Sequence, residues 1–312
     1  MIQARAFEGV MPALITPFTA DGAAPDHEAL AALVERCIGA AVTGLVPTGS
    51  TGEFTTLSSA ERRSVVETVV RAADGRVPTI PGTAALSTAE TVALSVHAEE
   101  AGAAAVMIVP PFYTPLQWRE VLAYFAAVAD RISIPIMYYN LPSASGVSLT
   151  ADRLRELRDI AGVTTFKDTG GDAVLATAFV QESADLPTLL NGYDTLTFAA
   201  LASGVRGIVW GAASFIPEAC VALHRLLVDD TDLEGARRLW ARIWPICDLL
   251  ESTAYASAVK AGCRHVGLAT GPVRGPLLEV TDMERRRLEE LIDALAAEMS
   301  TPASEPTAVS DR

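Results

Sequence analysis

Residues 134–168, IPIMYYNLPSASGVSLTADRLRELRDIAGVTTFKD, decide the fold. They open with an apolar run, Ile134–Tyr139, and close with a second, Val163–Lys167. Both are short, rich in β-branched or aromatic residues and mostly not alternating, as expected of strands buried on both faces of a parallel sheet. Between them Thr150 and Asp152 open a segment that carries Leu154 and Leu157 at helical spacing, and Gly162 stands where a helix stops. The stretch therefore predicts a strand–helix–strand unit with parallel strands.

Outward from this unit the same rhythm recurs. Apolar runs stand at 9–16, 43–48, 77–82, 104–109, 188–191 and 205–210, which with the first two makes eight. Helical segments fall between them, with Asp26, Ser58 and Ser87 as start signals; Ser58 with Glu61 and Ser87 with Glu90 fit capping boxes. Eight strand–helix units predict an α/β fold, a (β/α)8 TIM barrel, over a doubly wound open sheet as the competing arrangement. Past about residue 225 the pattern is helical only, with helices expected at 232–251, 254–266 and 281–299. The predicted organisation is a catalytic barrel over 1–228, a C-terminal helical extension over 229–300, and a disordered polar tail over 301–312.

Composition narrows the function. Half of the 312 residues are hydrophobic, ample for a large core, and the net charge of −14 opposes binding to a nucleic-acid backbone. No apolar stretch is long enough for a membrane span and the first residues lack the pattern of a signal peptide, so a cytoplasmic protein is expected. Four scattered cysteines and four scattered histidines show no metal-ligand spacing, and no metal site is expected.

In a barrel of this kind chemistry occurs at the C-terminal ends of the strands. The polar residues that stand there are Gly49-Ser50-Thr51-Gly52-Glu53, Tyr113, Tyr139-Asn140, Lys167-Asp168 and Asn191-Gly192. Lys167 is one of only two lysines, and a lysine at a buried strand end is costly unless it is paired or neutral. It reads either as a structural ion pair with Asp168 or Glu53, or as an amine nucleophile whose neutral form attacks a ketone. The Gly49–Gly52 turn offers two hydroxyls and close backbone N–H groups to a carboxylate, or is an ordinary tight turn; it lacks the GxxxxGK[ST] pattern of a nucleotide loop. Tyr139, one strand from Lys167, is a feasible proton shuttle or a core tyrosine.

In order and spacing these motifs resemble the dihydrodipicolinate synthase/N-acetylneuraminate lyase family of class I aldolases, from Gly9 to about Leu278. The resemblance implies that Lys167 forms a Schiff base with a 2-oxo acid, pyruvate or a 2-keto-3-deoxy sugar acid, without any other cofactor. It implies Tyr139 as acid/base, Gly49, Ser50 and Thr51 as holders of the carboxylate, and Thr51 with Tyr113 completing a proton relay. The tyrosine at the position of Tyr113 enters from a neighbouring subunit in the synthases, and the usual assembly is a homotetramer, a dimer of dimers. Gly192 and Val209 match positions whose backbone lines the site.

The departures concern the second substrate. Synthases carry an Arg two residues after the proline of the strand-5 loop, where this chain has Ala144, and Trp210 stands where many members have a smaller residue, so that it could either shrink the pocket or supply it with an apolar face. The expected activity is accordingly a lyase, aldolase or dehydratase. The alternatives are a dihydrodipicolinate synthase condensing pyruvate with aspartate semialdehyde, and a non-catalytic small-molecule-binding member of the fold.

Overall fold

A computed structural model describes residues 7–300. Six strands, β1 Gly9–Pro12, β2 Val106–Ile108, β3 Ile136–Asn140, β4 Val163–Asp168, β5 Thr188–Asn191 and β6 Gly207–Trp210, form one sheet in the order β1-β6-β5-β4-β3-β2. Every pairing is parallel, as the strand–helix alternation predicts. The remaining two expected strands, 43–48 and 77–82, make only isolated parallel bridges: Ala13 with Val46, Leu45 with Thr79, and Gly82 with Met107. Pro47, Pro78 and Pro81 interrupt these segments, and a proline has no N–H to extend a ladder. Their carbonyls are used instead: Leu45 donates to Pro78, Gly82 to Pro47 and Met107 to Pro81. Hydrogen bonding thus runs from β2 back to β1 through both segments.

The expected helix starts hold. Asp26 accepts from the Ala29 N–H at the head of α1 (His27–Gly39), and Ser58 and Glu61 close a capping box on α2 (Ser59–Ala73). Ser87 caps α3 (Thr88–Glu100) but forms no box, because its intended partner Glu90 accepts instead from the Ser59 hydroxyl on the neighbouring helix. Next come α4 (Trp118–Ala129), the single turn α5 (Pro142–Ser145), α6 (Ala151–Arg158), α7 (Ala173–Gln181), α8 (Thr197–Ala202) and α9 (Pro217–Val228).

The three C-terminal helices fall where the sequence places them: α10 (Leu233–Ser252), α11 (Tyr255–His265) and α12 (Asp282–Met299). They share a core with the sheet. Trp210 of β6 is fully buried in it, with Ile243, Ile246 and Leu250 of α10, Val259 of α11 and Leu288 of α12. Burying an aliphatic side chain of this size is worth about 1.5–3 kcal/mol, so the extension is anchored by packing. Trp210 points into this core beside Trp240, at 6.3 Å between ring centroids, and does not line the cavity described below. The expected tail, 301–312, lies outside the described residues. Among the described residues no helix is long and apolar enough to cross a membrane, and no three His, Cys, Asp or Glu side chains are grouped to hold a metal ion.

Candidate active site

The register of β3 on β4 is the origin of the site. A shift at Ile136/Met137 brings Tyr139 opposite Lys167 and Asn140 opposite Asp168. Residues opposite each other in a parallel pair point to the same face. The Lys167 Nζ accordingly sits 4.3 Å from the centroid of the Tyr139 ring. Both side chains are buried, Lys167 at 6 % exposure and Tyr139 at 5 %.

Neither carboxylate considered as an ion-pair partner for Lys167 takes that role. Asp168 turns to the Asn140 side-chain amide, at 2.6 Å, and to the Gly170 N–H, at 3.0 Å. Burial raises its pKa despite those two bonds. Glu53 is held by Lys260, the other lysine of the chain. That leaves the Lys167 amine facing a cavity of about 300 Å³.

Ser50, Thr51, Tyr139, Lys167, Gly192 and Val209 all line this cavity. Gly49 opens instead on a smaller neighbouring hollow, which Ser50 and Tyr139 also line. The turn is built as its glycines suggest: Gly52 N–H donates to the Gly49 carbonyl at 3.0 Å, and a Cβ on Gly52 would press on the backbone of Leu14 and Thr48 at 3.1 Å. Gly192 has a sharper reason to be glycine. Its Cβ would collide with Cε and Cγ of Lys167 and with the Thr169 hydroxyl, so the lysine lies across the space that a side chain would occupy.

Tyr113, like Gly49, is an expected site residue absent from this cavity wall, and it is 87 % exposed. Its assignment through the resemblance was to a neighbouring subunit, so a single chain is not expected to insert it.

Residues of the wall that the sequence reading missed include Asp194, Glu251 and Tyr255. Asp194 follows β5 and is buried, with its carboxylate accepting from the Tyr255 hydroxyl at 2.7 Å. Burial pushes its pKa up to about 7, against the lowering effect of that bond. Glu251, on α10, accepts from the Thr195 hydroxyl at 2.6 Å and from the Thr195 N–H at 3.2 Å; burial raises its pKa as well. Gly211 makes room for Tyr255, since a Cβ there would meet the phenol oxygen. Asp194 stands two residues past Asn191-Gly192 and could have been noticed; Glu251 and Tyr255 carry no local signal, because they reach the site only through the docking of the C-terminal helices.

The four cysteines, Cys37, Cys220, Cys247 and Cys263, are unpaired and buried, and burial raises every thiol pKa, that of Cys37 to about 12. They are inert core residues.

Comparison with known proteins places the chain in a family. The model of the dihydrodipicolinate synthetase family matches residues 6–295. The 4-hydroxy-tetrahydrodipicolinate synthase of Methanopyrus kandleri is 38% identical over 291 residues, covering 91% of this chain and 96% of that protein. That of Sorangium cellulosum is 37% identical, covering 93% and 96%. Among solved structures, dihydrodipicolinate synthase from Bacillus anthracis superposes with a TM-score of 0.88 at 32% identity, covering 94% of this chain and 99% of that one. The pyruvate complex of the enzyme from Acinetobacter baumannii superposes at 0.87 with 27% identity, covering 93% and 99%.

Proposed function

The chain belongs to the dihydrodipicolinate synthetase family, and on that premise we propose that it is a pyruvate-using lyase that binds its 2-oxo acid as a Schiff base on Lys167. One observation carries the proposal: a lysine amine with no ion-pair partner among the described residues, 4.3 Å from the centroid of the Tyr139 ring and in one cavity with the Ser50 and Thr51 hydroxyls. On this reading residues up to 228 form a closed (β/α)8 barrel, with segments 43–48 and 77–82 as its two short strands, and residues 229–300 are an extension that completes the site.

The chemistry follows from these groups. The neutral Lys167 amine adds to the C2 carbonyl of pyruvate, and Tyr139 delivers the proton with which the carbinolamine oxygen leaves as water. The resulting iminium withdraws electrons from C3, which loses a proton to become an enamine. Ser50 and Thr51 hold the pyruvate carboxylate with their hydroxyls and backbone N–H groups, beside the Gly49 and Gly52 hinges of the turn. The backbone of Gly192 and Val209 lines the far wall. No other cofactor is needed, because the imine is itself the electron sink. Thr51 and Tyr113 of a second copy complete the proton relay, which makes a homotetramer, a dimer of dimers, the working assembly.

For the second substrate the names of the relatives support condensation with aspartate semialdehyde, the synthase reaction, better than cleavage or dehydration of a sugar acid. The specific observation favouring the latter is Ala144. It is exposed on α5 and offers no cation to the aldehyde carboxylate, and Lys167 is the only cation among the residues lining the cavity. A charge-assisted hydrogen bond of that kind is worth about 1.5–3 kcal/mol.

The test is reduction with borohydride in the presence of pyruvate, followed by mass spectrometry of the peptide that contains Lys167. A 1-carboxyethyl adduct on the Lys167 amine, the reduced imine, is expected. A folded protein that stays unlabelled would sink the proposal. Turnover of aspartate semialdehyde against 2-keto-3-deoxy acids then separates the two reactions.

A further inference from the structure

The wall of the cavity formed by the β5 loop and the C-terminal helices has a character of its own. Its charged groups are both acidic, Asp194 and Glu251. Its other polar side chains are the neutral hydroxyls of Tyr193 and Tyr255, and Ser143 of α5 and Thr169 after β4 add two more to the cavity. Asp194 is buried and closed off by Tyr255, whereas Glu251 is half-buried and fixed at the cavity by two bonds from Thr195. A carboxylate that accepts two hydrogen bonds retains acceptor capacity for the hydroxyls of a ligand. The same charge repels a second carboxylate brought into a partly desolvated space.

We propose that Glu251, supplied by the helical extension, determines the specificity of the second substrate, selecting an uncharged hydroxyaldehyde over an aldehyde that carries a carboxylate. This rests on the Schiff-base reading of Lys167 and deepens it. In the condensation, C3 of the enamine forms the new carbon–carbon bond to the aldehyde carbon. The aldehyde oxygen takes up a proton from Tyr139, and water then releases the 2-oxo acid and restores the Lys167 amine. Glu251 touches no reacting atom in this sequence. It accepts from a hydroxyl of the incoming aldehyde, and its charge is what an aldehyde carboxylate would meet in a cavity where Lys167 is already committed to the imine. Cleavage of a hydroxylated 2-oxo acid runs through the same contacts in reverse.

The experiment compares the full-length protein with Glu251→Gln, which keeps an acceptor for the Thr195 N–H and a donor for the Thr195 oxygen. For each, kcat/KM is measured for condensation of pyruvate with glyceraldehyde and with aspartate semialdehyde. The wild-type protein is expected to prefer glyceraldehyde. The substitution is expected to move the ratio toward the semialdehyde by about tenfold, equivalent to about 1.4 kcal/mol, with the change in KM for the aldehyde and not for pyruvate. An unchanged ratio, a wild-type preference for the semialdehyde, or turnover of neither aldehyde would each overturn the proposal. Borohydride trapping of pyruvate on both proteins reports separately on Lys167: an absence of adduct refutes the Schiff-base reading, while an adduct with an unmoved ratio refutes only the role of Glu251.

Discussion

Lys260 of α11 and Glu53 of the Gly49–Glu53 turn, 207 residues apart, form a fully buried ion pair at 2.5 Å. The pair ties the helical extension to the turn that presents Ser50 and Thr51. Lys260 also donates to the Pro272 carbonyl at 3.0 Å, and Glu53 accepts from the Arg274 N–H at 2.9 Å. Both cations stack on Phe18, Lys260 at 4.2 Å and Arg274 at 4.1 Å from the ring centroid. Glu53 itself has φ 55°, in the left-handed region that non-glycine residues seldom adopt, so its conformation depends on these partners.

Lys260→Met leaves the Glu53 carboxylate buried without its cation. Breaking a buried pair in this way costs about 3–5 kcal/mol, and urea unfolding should show a loss of that order. The KM for pyruvate should rise as the turn loosens. A Lys260→Met, Glu53→Gln double variant should recover part of the stability, which distinguishes an orphaned charge from lost packing.

Tyr139→Phe keeps the ring against Lys167 and removes the hydroxyl. Loss of a positioned acid/base lowers rates about 10²–10⁴-fold, so kcat should fall within that range while the melting temperature changes little. Pyruvate should still label Lys167 under borohydride, but more slowly. A variant with wild-type kcat would show that the phenol carries no proton.

Gly192→Ala places a methyl group where Cε of Lys167 lies. Overpacking of a buried site costs about 1–3 kcal/mol, and the lysine must move to accommodate it. A displacement of about 1 Å can cost a hundredfold in rate. Slow imine trapping in a protein that remains folded is the expected outcome, measured by time-resolved quenching with borohydride.

Asp194 links stability to pH. Burial raises its pKa from 3.8 to about 7, against Tyr255 and Lys167, which favour the charged form, while Glu251, Cys220 and Cys247 face the same carboxylate. The folded protein therefore holds a proton on Asp194 that the unfolded chain releases between those two values. By linkage, stability falls as pH rises through this window and levels off above about 7. Asp194→Asn should flatten that part of the profile in thermal melts from pH 4 to 8. Glu61 acts with the opposite sign: Arg274 lowers its pKa to about 2, so its contribution is complete above 4.5 and is lost on acidification toward 2.

Much of the candidate site was legible because it is encoded in short strand-end motifs. Lys167, Tyr139, Ser50 and Thr51 each follow an apolar run, and a parallel α/β order gathers strand ends wherever the loops lead. The helices of the extension were equally legible from periodicity, to within a residue or two of their ends. The strands at 43–48 and 77–82 were overestimated because apolar content outweighed their prolines. The suggested pairing of Glu53 with Lys167 was overtaken by Lys260, a residue whose helix shows nothing of its destination. Trp210, which could have filled the pocket, turned outward because the core beneath α10 offers apolar contact to the whole indole.

The sequence by itself determined the alternation of strands and helices, the caps that start them and the lysine, tyrosine and hydroxyl set at the strand ends, since each depends on neighbours within a few residues. Only the tertiary structure decided that Glu53 meets Lys260 and not Lys167, and which side chains of the C-terminal helices line the cavity. Those contacts depend on how the C-terminal helices pack over the sheet, and packing is set by shape complementarity between distant segments, which no local pattern records.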